Sequence, residues 1–211
     1  MNSARVYAGQ DLTDRRRQRR ERFLAAAIAL FGTQGYAATS VPAVCREAGL
    51  SSRQFYEEFS SREDLLRELY DQVTEQAMAA VVAATTPAIE AGKDFDATVE
   101  AAVRAFVSVY FPDDRLTRIS FVEVVGVSPA LEEHRHRTRQ RWAELLDGAV
   151  ASVAANGLPV GATSPLQWAA YIGAVNAAIV ARTHDATITE EDVVHTMLSL
   201  LRPGILPRAG E

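Results

Sequence analysis

Between Gly49 and Phe59 the chain reads GLSSRQFYEEF, a Gly turn followed by two serines, an arginine, a glutamine, a tyrosine and two acids. Each of these polar side chains has a natural partner on duplex DNA. A guanidinium bonds guanine through two parallel N–H donors, a carboxamide bonds adenine, a carboxylate accepts from the cytosine amine, and hydroxyls reach phosphate. A helix begun at Ser51 turns about 100° per residue, which sets Phe55 and Phe59 on one side. Arg53, Gln54 and Glu57 then face outward, with Ser52 and Tyr56 flanking them. The two phenylalanines are expected to pack on Leu50, Val44 and a preceding helix. A further source of positive charge lies upstream, where Asp14–Arg22 reads DRRRQRRER, six arginines against two acids. Arg16 and Arg20 are its candidates for contact with a polyanion.

These features sit on an acidic protein. The net charge is −5, but residues 1–70 hold eleven arginines against nine acids, whereas residues 71–211 hold eleven basic residues against eighteen acids. The positive field is therefore local. Signatures of catalysis are missing from the sequence: it has no phosphate-cradling Gly loop, no G-x-S-x-G, no H-E-x-x-H and no paired-cysteine metal spacing. Neither an enzyme nor a bound cofactor is expected. The single cysteine, Cys45, reads as a small buried hydrophobe. His134 and His136 on one helix lie about 200° apart amid arginines, a poor metal pair, so no metal is expected. The first residues lack the apolar stretch of a signal peptide, and no run reaches the roughly 18 apolar residues of a membrane span. A cytoplasmic protein with no membrane segment is the expectation.

The elements that would position this chemistry are helices throughout, because apolar residues recur at helical spacing and strand signals are nearly absent. An all-α fold of about nine helices is expected. The first runs from about Asp14 to Gln34, with Phe23, Ala27, Leu30 and Phe31 on one stripe and Gly35 as its stop. A second starts near Thr39 or Ser40 with Pro42 in its first turn, and Gly49 ends it. Ser51 and Gln54 have the spacing of a capping box that opens the third. A fourth begins at Ser60 or Ser61 and runs to about Ala84. Beyond Pro87 alanine and valine dominate. Further helices are expected near Phe95–Phe111, Leu116–Val125, Pro129–Ala155, Pro165–Thr183 and Glu190–Leu201, the last three capped by Ser128, Ser164 and Thr189. Residues 156–164 form a loop.

Two short helices joined by a Gly-containing turn match a helix-turn-helix, whose second helix enters the major groove. The stretch FLAAAIALFGTQGYAATSVPAVCREAGLSSRQFYEEFSSREDLL, Phe23 to Leu66, resembles the N-terminal domain of the TetR family of transcriptional regulators. The shared order includes LF…GY, Thr39-Ser40-Val41, the Ala-Gly turn, FY…F and Ser-Arg-Glu. The resemblance implies a three-helix DNA-binding domain with its arm in residues 1–62, and a larger helical regulatory and dimerisation domain in residues 63–211. It implies that Ser40, Ser51, Tyr56 and Arg62 hold phosphates while Ser52, Arg53 and Gln54 face bases. Glu57 and Glu58 depart from the family pattern. Glu57 either reads cytosine or weakens binding, and Glu58 flanks the core side.

The same resemblance implies a homodimer in which the last two helices pair across a two-fold axis, presenting two recognition helices to a near-palindromic operator. Gly173, Ala174 and Ala177 allow that close approach. It also implies a pocket between the middle helices for an unidentified small-molecule effector, apolar or aromatic. Phe106, Tyr110, Phe121, Trp142, Trp168 and Tyr171 are candidates to line it, with Arg104, Glu123 and Asn176 as polar anchors. The function so implied is a ligand-responsive repressor of transcription. The alternative reading of the residues is a helical adaptor that binds protein, without DNA, through the same exposed helix.

Overall fold

The computed structural model describes residues 3–91, 95–157, 160, 161 and 163–205, with side chains from residue 13 to residue 203. Among the described residues there are nine α-helices and no strand: α1 Ser3–Phe31, α2 Val41–Ala48, α3 Ser52–Glu58, α4 Arg62–Glu90, α5 Phe95–Tyr110, α6 Asp114–Arg118, α7 Pro129–Ala155, α8 Pro165–His184 and α9 Glu190–Ile205. A single π-helical turn, Ile119–Glu123, continues α6. Part of the loop expected over residues 156–164 lies outside the described residues.

Local chemistry sets most of these boundaries. The Ser40 hydroxyl accepts from the Ala43 N–H, Pro42 sits in the first turn of α2, and Gly49 leaves it in the left-handed region at φ 64°. A side chain at residue 49 would be strained there. Ser51 and Gln54 form the reciprocal cap of α3: the Gln54 N–H donates to Ser51 Oγ at 3.2 Å and the Ser51 N–H to Gln54 Oε1 at 2.9 Å. Ser61, Ser128 and Ser164 each accept from the N–H three residues on, opening α4, α7 and α8. Thr189 does the same for α9.

Some elements differ from the expectation. Helix α1 begins eleven residues before Asp14 and ends at Phe31 rather than Gln34. Gly32 follows at once, and a Cβ there would lie 2.3 Å from Arg115 Cβ, so α6 crosses the end of α1 at a distance only glycine permits. Helix α4 runs past Ala84 and through Pro87 to Glu90. Pro87 lacks the N–H that would bond the carbonyl of residue 83, a loss the helix carries one turn from its end. Helix α9 likewise continues through Pro203. The single helix expected over Leu116–Val125 is instead α6 and the π turn, which begins two residues earlier.

Two hydrophobic cores result. The first gathers Phe23, Phe31, Val44, Phe55, Phe59, Leu65, Leu66, Leu69 and Tyr70, closed from the far side by Ile119, Val124 and Leu131. Phe23 meets Phe55 and Phe59 edge-on, at ring-centre distances of 5.4 and 6.1 Å. The second gathers Val73, Ala77, Val99, Val103, Val107, Trp168, Ile179 and the α9 stripe Val193, Val194, Met197 and Leu198. The two cores meet along α4, between Tyr70 and Val73, so the first reaches beyond residue 62. Cys45 is buried in the first core. No described helix is long and apolar enough to cross a membrane.

Candidate nucleic-acid interface and effector cavity

Helix α3 is held from beneath by Phe55 and Phe59 and from its start by the Ser51–Gln54 cap, so its outward residues have little freedom to tilt. Ser51, Ser52, Arg53, Tyr56 and Glu57 are all exposed. Tyr56 is 61 % exposed, and the Arg53 side chain is 89 % exposed with its Nε donating to Glu57 Oε1 at 3.1 Å. An exposed pair of this kind contributes only about 0.3–0.5 kcal/mol and is readily exchanged for a base contact. Ser40, also exposed, accepts from Ala43 through its oxygen and keeps its own proton to donate.

Several predicted DNA contacts are engaged inside the protein. The Gln54 carbonyl oxygen takes both the N–H and the hydroxyl proton of Ser51, at 2.9 and 3.0 Å. Its amide nitrogen is the group left to address a base. The Arg20 guanidinium stacks 4.5 Å from the Phe59 ring centre and donates to Glu68 at 2.7 Å and to the Glu58 carbonyl at 2.9 Å. Arg62 donates to the Thr39 carbonyl and lies 4.1 Å over the Tyr36 ring. Arg20 and Arg62 are thus ties that hold α1, α3 and α4 to their neighbours rather than unengaged phosphate donors. Arg16 stays mostly exposed but shares Glu58, whose side chain is fully buried and also receives Arg19, each at 3.1 Å.

Two roles here escaped the sequence reading. Glu58 neutralises part of the arginine run from within. Arg22 caps the C-terminus of α2 by donating to the carbonyls of Ala48 at 2.6 Å and Gly49 at 3.2 Å. The signal for Glu58 was its position between Phe55 and Phe59 on the buried side of α3.

Away from this surface, helices α4, α5, α7, α8 and α9 with the π turn enclose a cavity of about 150 Å³, counted as space open to the centres of water-sized atoms. Phe106, Tyr110, Phe121, Trp142, Trp168 and Tyr171 all line it, and so does Asn176. Phe106 meets Trp142 edge-on at 5.4 Å, and Tyr110 meets Phe121 at 4.9 Å. Burial pushes the hydroxyl pKa of Tyr110 and of Tyr70, which also lines the space, above the ordinary tyrosine value. Both are therefore neutral at physiological pH.

Arg104 and Glu123 do not line the cavity, which corrects the expectation for both. Arg104 is on the surface, bridging Glu191 at 2.9 Å and Glu100 at 2.8 Å. Glu123 points back toward α1: it accepts the Tyr36 N–H at 2.6 Å and Arg118 Nε at 2.7 Å, while Arg118 donates to the Thr33 carbonyl at 2.8 Å. The cavity's polar residues missed in the sequence are Ser120 on the π turn, Tyr70, Thr74 and Thr85 on α4, Thr98 on α5, and Arg135 and Arg139 on α7. The arginines were legible only in retrospect, since positions 135, 139, 142, 146, 150 and 153 fall on one stripe of α7. His134 and His136 on the same helix turn to different partners, Asp71 and Gln140. Among the described residues no group of three or more His, Cys, Asp or Glu is placed to hold a metal ion.

The described residues thus form a fixed helix-turn-helix on a larger helical body. Residues 23–69 match the family model for bacterial regulatory proteins of the tetR family. No curated protein is a significant match. Solved structures share the fold over nearly the whole chain. A bacterial regulatory protein in the tetR family from Rhodococcus RHA1 is 19 % identical, with 90 % of this chain and 98 % of that chain covered and a TM-score of 0.66. The TetR family transcriptional regulator PfmR from Thermus thermophilus is 24 % identical over 86 % of this chain and 97 % of its own, with a TM-score of 0.64. The transcriptional regulator FadR from Bacillus subtilis, solved in complex with stearoyl-CoA, is 16 % identical over 86 % and 95 %, with a TM-score of 0.71. Residues 23–69 are thus similar to the N-terminal domain of the tetR family, and the chain shares its fold with these solved regulators.

Proposed function

We propose that this regulator is a repressor that binds a near-palindromic operator as a homodimer and is released when a small molecule enters the cavity. The observation that carries the reading is the pairing of a fixed, exposed α3 face with a cavity whose wall is tied to the same domain. Ser120 and Phe121 line the cavity, and two residues on, Glu123 accepts the Tyr36 N–H in the turn that leads from α1 to α2. A ligand that displaces the π turn would move the segment that positions α2 and α3. In this proposal Arg53, Ser52 and Tyr56 make the outward contacts of α3, with Ser40 donating to phosphate, and residues beyond α4 regulate. The FadR structure with stearoyl-CoA supports a cavity for an amphiphile in this fold.

The dimer in this proposal uses α8 and α9. On α8, Leu166, Ala170, Gly173 and Ala177 recur at helical spacing and are exposed, Leu166 at 80 %. A Cβ at Gly173 meets nothing within 4 Å, so a second helix has room to approach. Leu200 on α9 is exposed as well. Selection from a random duplex pool by the purified protein, followed by sequencing, tests the reading. An inverted repeat is expected to emerge, with two half-sites about one helical turn apart or a multiple of it. A single unrepeated motif, or no enrichment, contradicts the proposed dimeric operator complex.

A further inference from the structure

The cavity wall is mostly apolar, yet no lining residue is acidic and two, Arg135 and Arg139, are cationic. The four arginines of α7 from 135 to 141 differ in what holds them. Arg135 is nearly buried and paired with Glu132 at 2.7 Å, while Arg141 is bound to Glu75 at 2.6 Å. Arg137 is exposed to water. Arg139 alone is half-buried at the cavity without a carboxylate within salt-bridge distance among the described residues. Glu132 acts on Arg139 only at longer range. A guanidinium partly withdrawn from water without a carboxylate in direct contact is costly, and a planar anion supplies the two-point partner it lacks. Ser120 stands on the same cavity wall, 2 % exposed, and its Oγ is buried without a hydrogen-bond partner. Tyr110 adds a neutral hydroxyl, with Tyr70 close enough to raise its pKa further. Apolar lining on α5, α7 and α8 includes Val99, Trp142, Leu146, Val150 and Trp168. Asn176, Thr74, Thr85 and Thr98 are further neutral polar groups of the wall.

We infer that the effector is an amphipathic carboxylate, whose anionic head pairs with Arg139 beside Ser120 and whose apolar body runs along α5, α7 and α8. This rests on the reading of the cavity as the effector site and names the chemical class it takes. Size sets the probe. A single water takes on the order of 10–15 Å³ by this measure, so the space suits about ten heavy atoms, the size of octanoate.

Trp142 and Trp168 are the only tryptophans and both line the cavity, so intrinsic fluorescence reports on it directly, without DNA. Octanoate, octan-1-ol and octylammonium are titrated into the full chain. Octanoate is expected to change the emission saturably, with a Kd roughly ten-fold or more below that of octan-1-ol, and octylammonium to bind weakest. Arg139→Met is expected to remove the preference for the acid while keeping affinity for the alcohol, and Arg137→Met to leave the preference intact. Equal binding of acid and alcohol to the unmodified protein overturns the inference while leaving the cavity as an effector site. So does a preference that survives Arg139→Met. If none of the three probes perturbs the tryptophans up to its solubility limit, the inference and the effector-site reading both fall.

Discussion

At the scale of single residues, the side chains of the helix-turn-helix divide into those that hold the domain and those that remain free to face a partner. Arg53 is in the second group, since its one tie is an exposed bond to Glu57. Arg53→Ala is expected to cost about 1–3 kcal/mol against the preferred operator and to relax selectivity at one base position, as measured by binding to operators varied at each position. Unchanged selectivity would remove Arg53 from base readout. Phe59 is in the first group, 1 % exposed and packed on Phe23 and Phe55. Phe59→Ala is expected to destabilise the small core by about 3–5 kcal/mol, seen as an early unfolding transition; an unaltered melt contradicts its placement. The sequence made the apolar half of this division legible, because Phe55 and Phe59 follow helical spacing. It left the charged half ambiguous. Six arginines in close succession read as one positive field, and only the fold shows that Arg20 is consumed by Glu68, Phe59 and the Glu58 carbonyl, and that Arg22 caps a helix.

At the scale of elements, capping residues were the most legible signals: Ser51, Ser128, Ser164 and Thr189 open the helices they were expected to open, and of the pairs left open, Thr39 or Ser40 and Ser60 or Ser61, it is Ser40 and Ser61 that cap. Each is a short-range bond between a side chain and a backbone N–H three residues on, so sequence spacing alone determines it. The π turn was not legible, because it depends on packing from both sides. Ile119 is buried in the first core while Ser120 and Phe121 border the cavity, and the wider turn lets successive residues face both ways. Its last residue, Glu123, reaches the Tyr36 N–H, a partner 87 positions away in sequence. If this link couples the cavity to α2 and α3, Glu123→Gln will weaken the dependence of DNA binding on ligand while changing ligand affinity itself much less. Full ligand response in that variant, read as operator affinity with and without effector, would place the coupling elsewhere.

Considered whole, the molecule is an acidic body carrying a locally basic domain, with α4 shared between the core beneath the exposed α3 face and the wall of the apolar cavity. Its α8 carries an exposed stripe of Leu166, Ala170, Gly173 and Ala177, the face proposed for the dimer. Within α8 only Trp168 and Ile179 are buried. A charge placed there, as in Ala177→Glu, is expected to shift the protein from dimer to monomer in sedimentation and to lower operator affinity, with little change in the melting of the small core. A dimer that persists at the same concentration would point to another face. The central claim, that α3 is the helix that meets DNA, is tested most directly by the salt dependence of binding to the selected operator for the unmodified protein and for Arg53→Ala. Phosphate contacts release counterions, so affinity is expected to fall linearly on a log–log scale between about 50 and 200 mM salt. Arg53→Ala is expected to lower affinity for the operator while its affinity for unrelated DNA stays the same. A binding constant indifferent to salt, or equal loss on operator and unrelated DNA, would contradict the account.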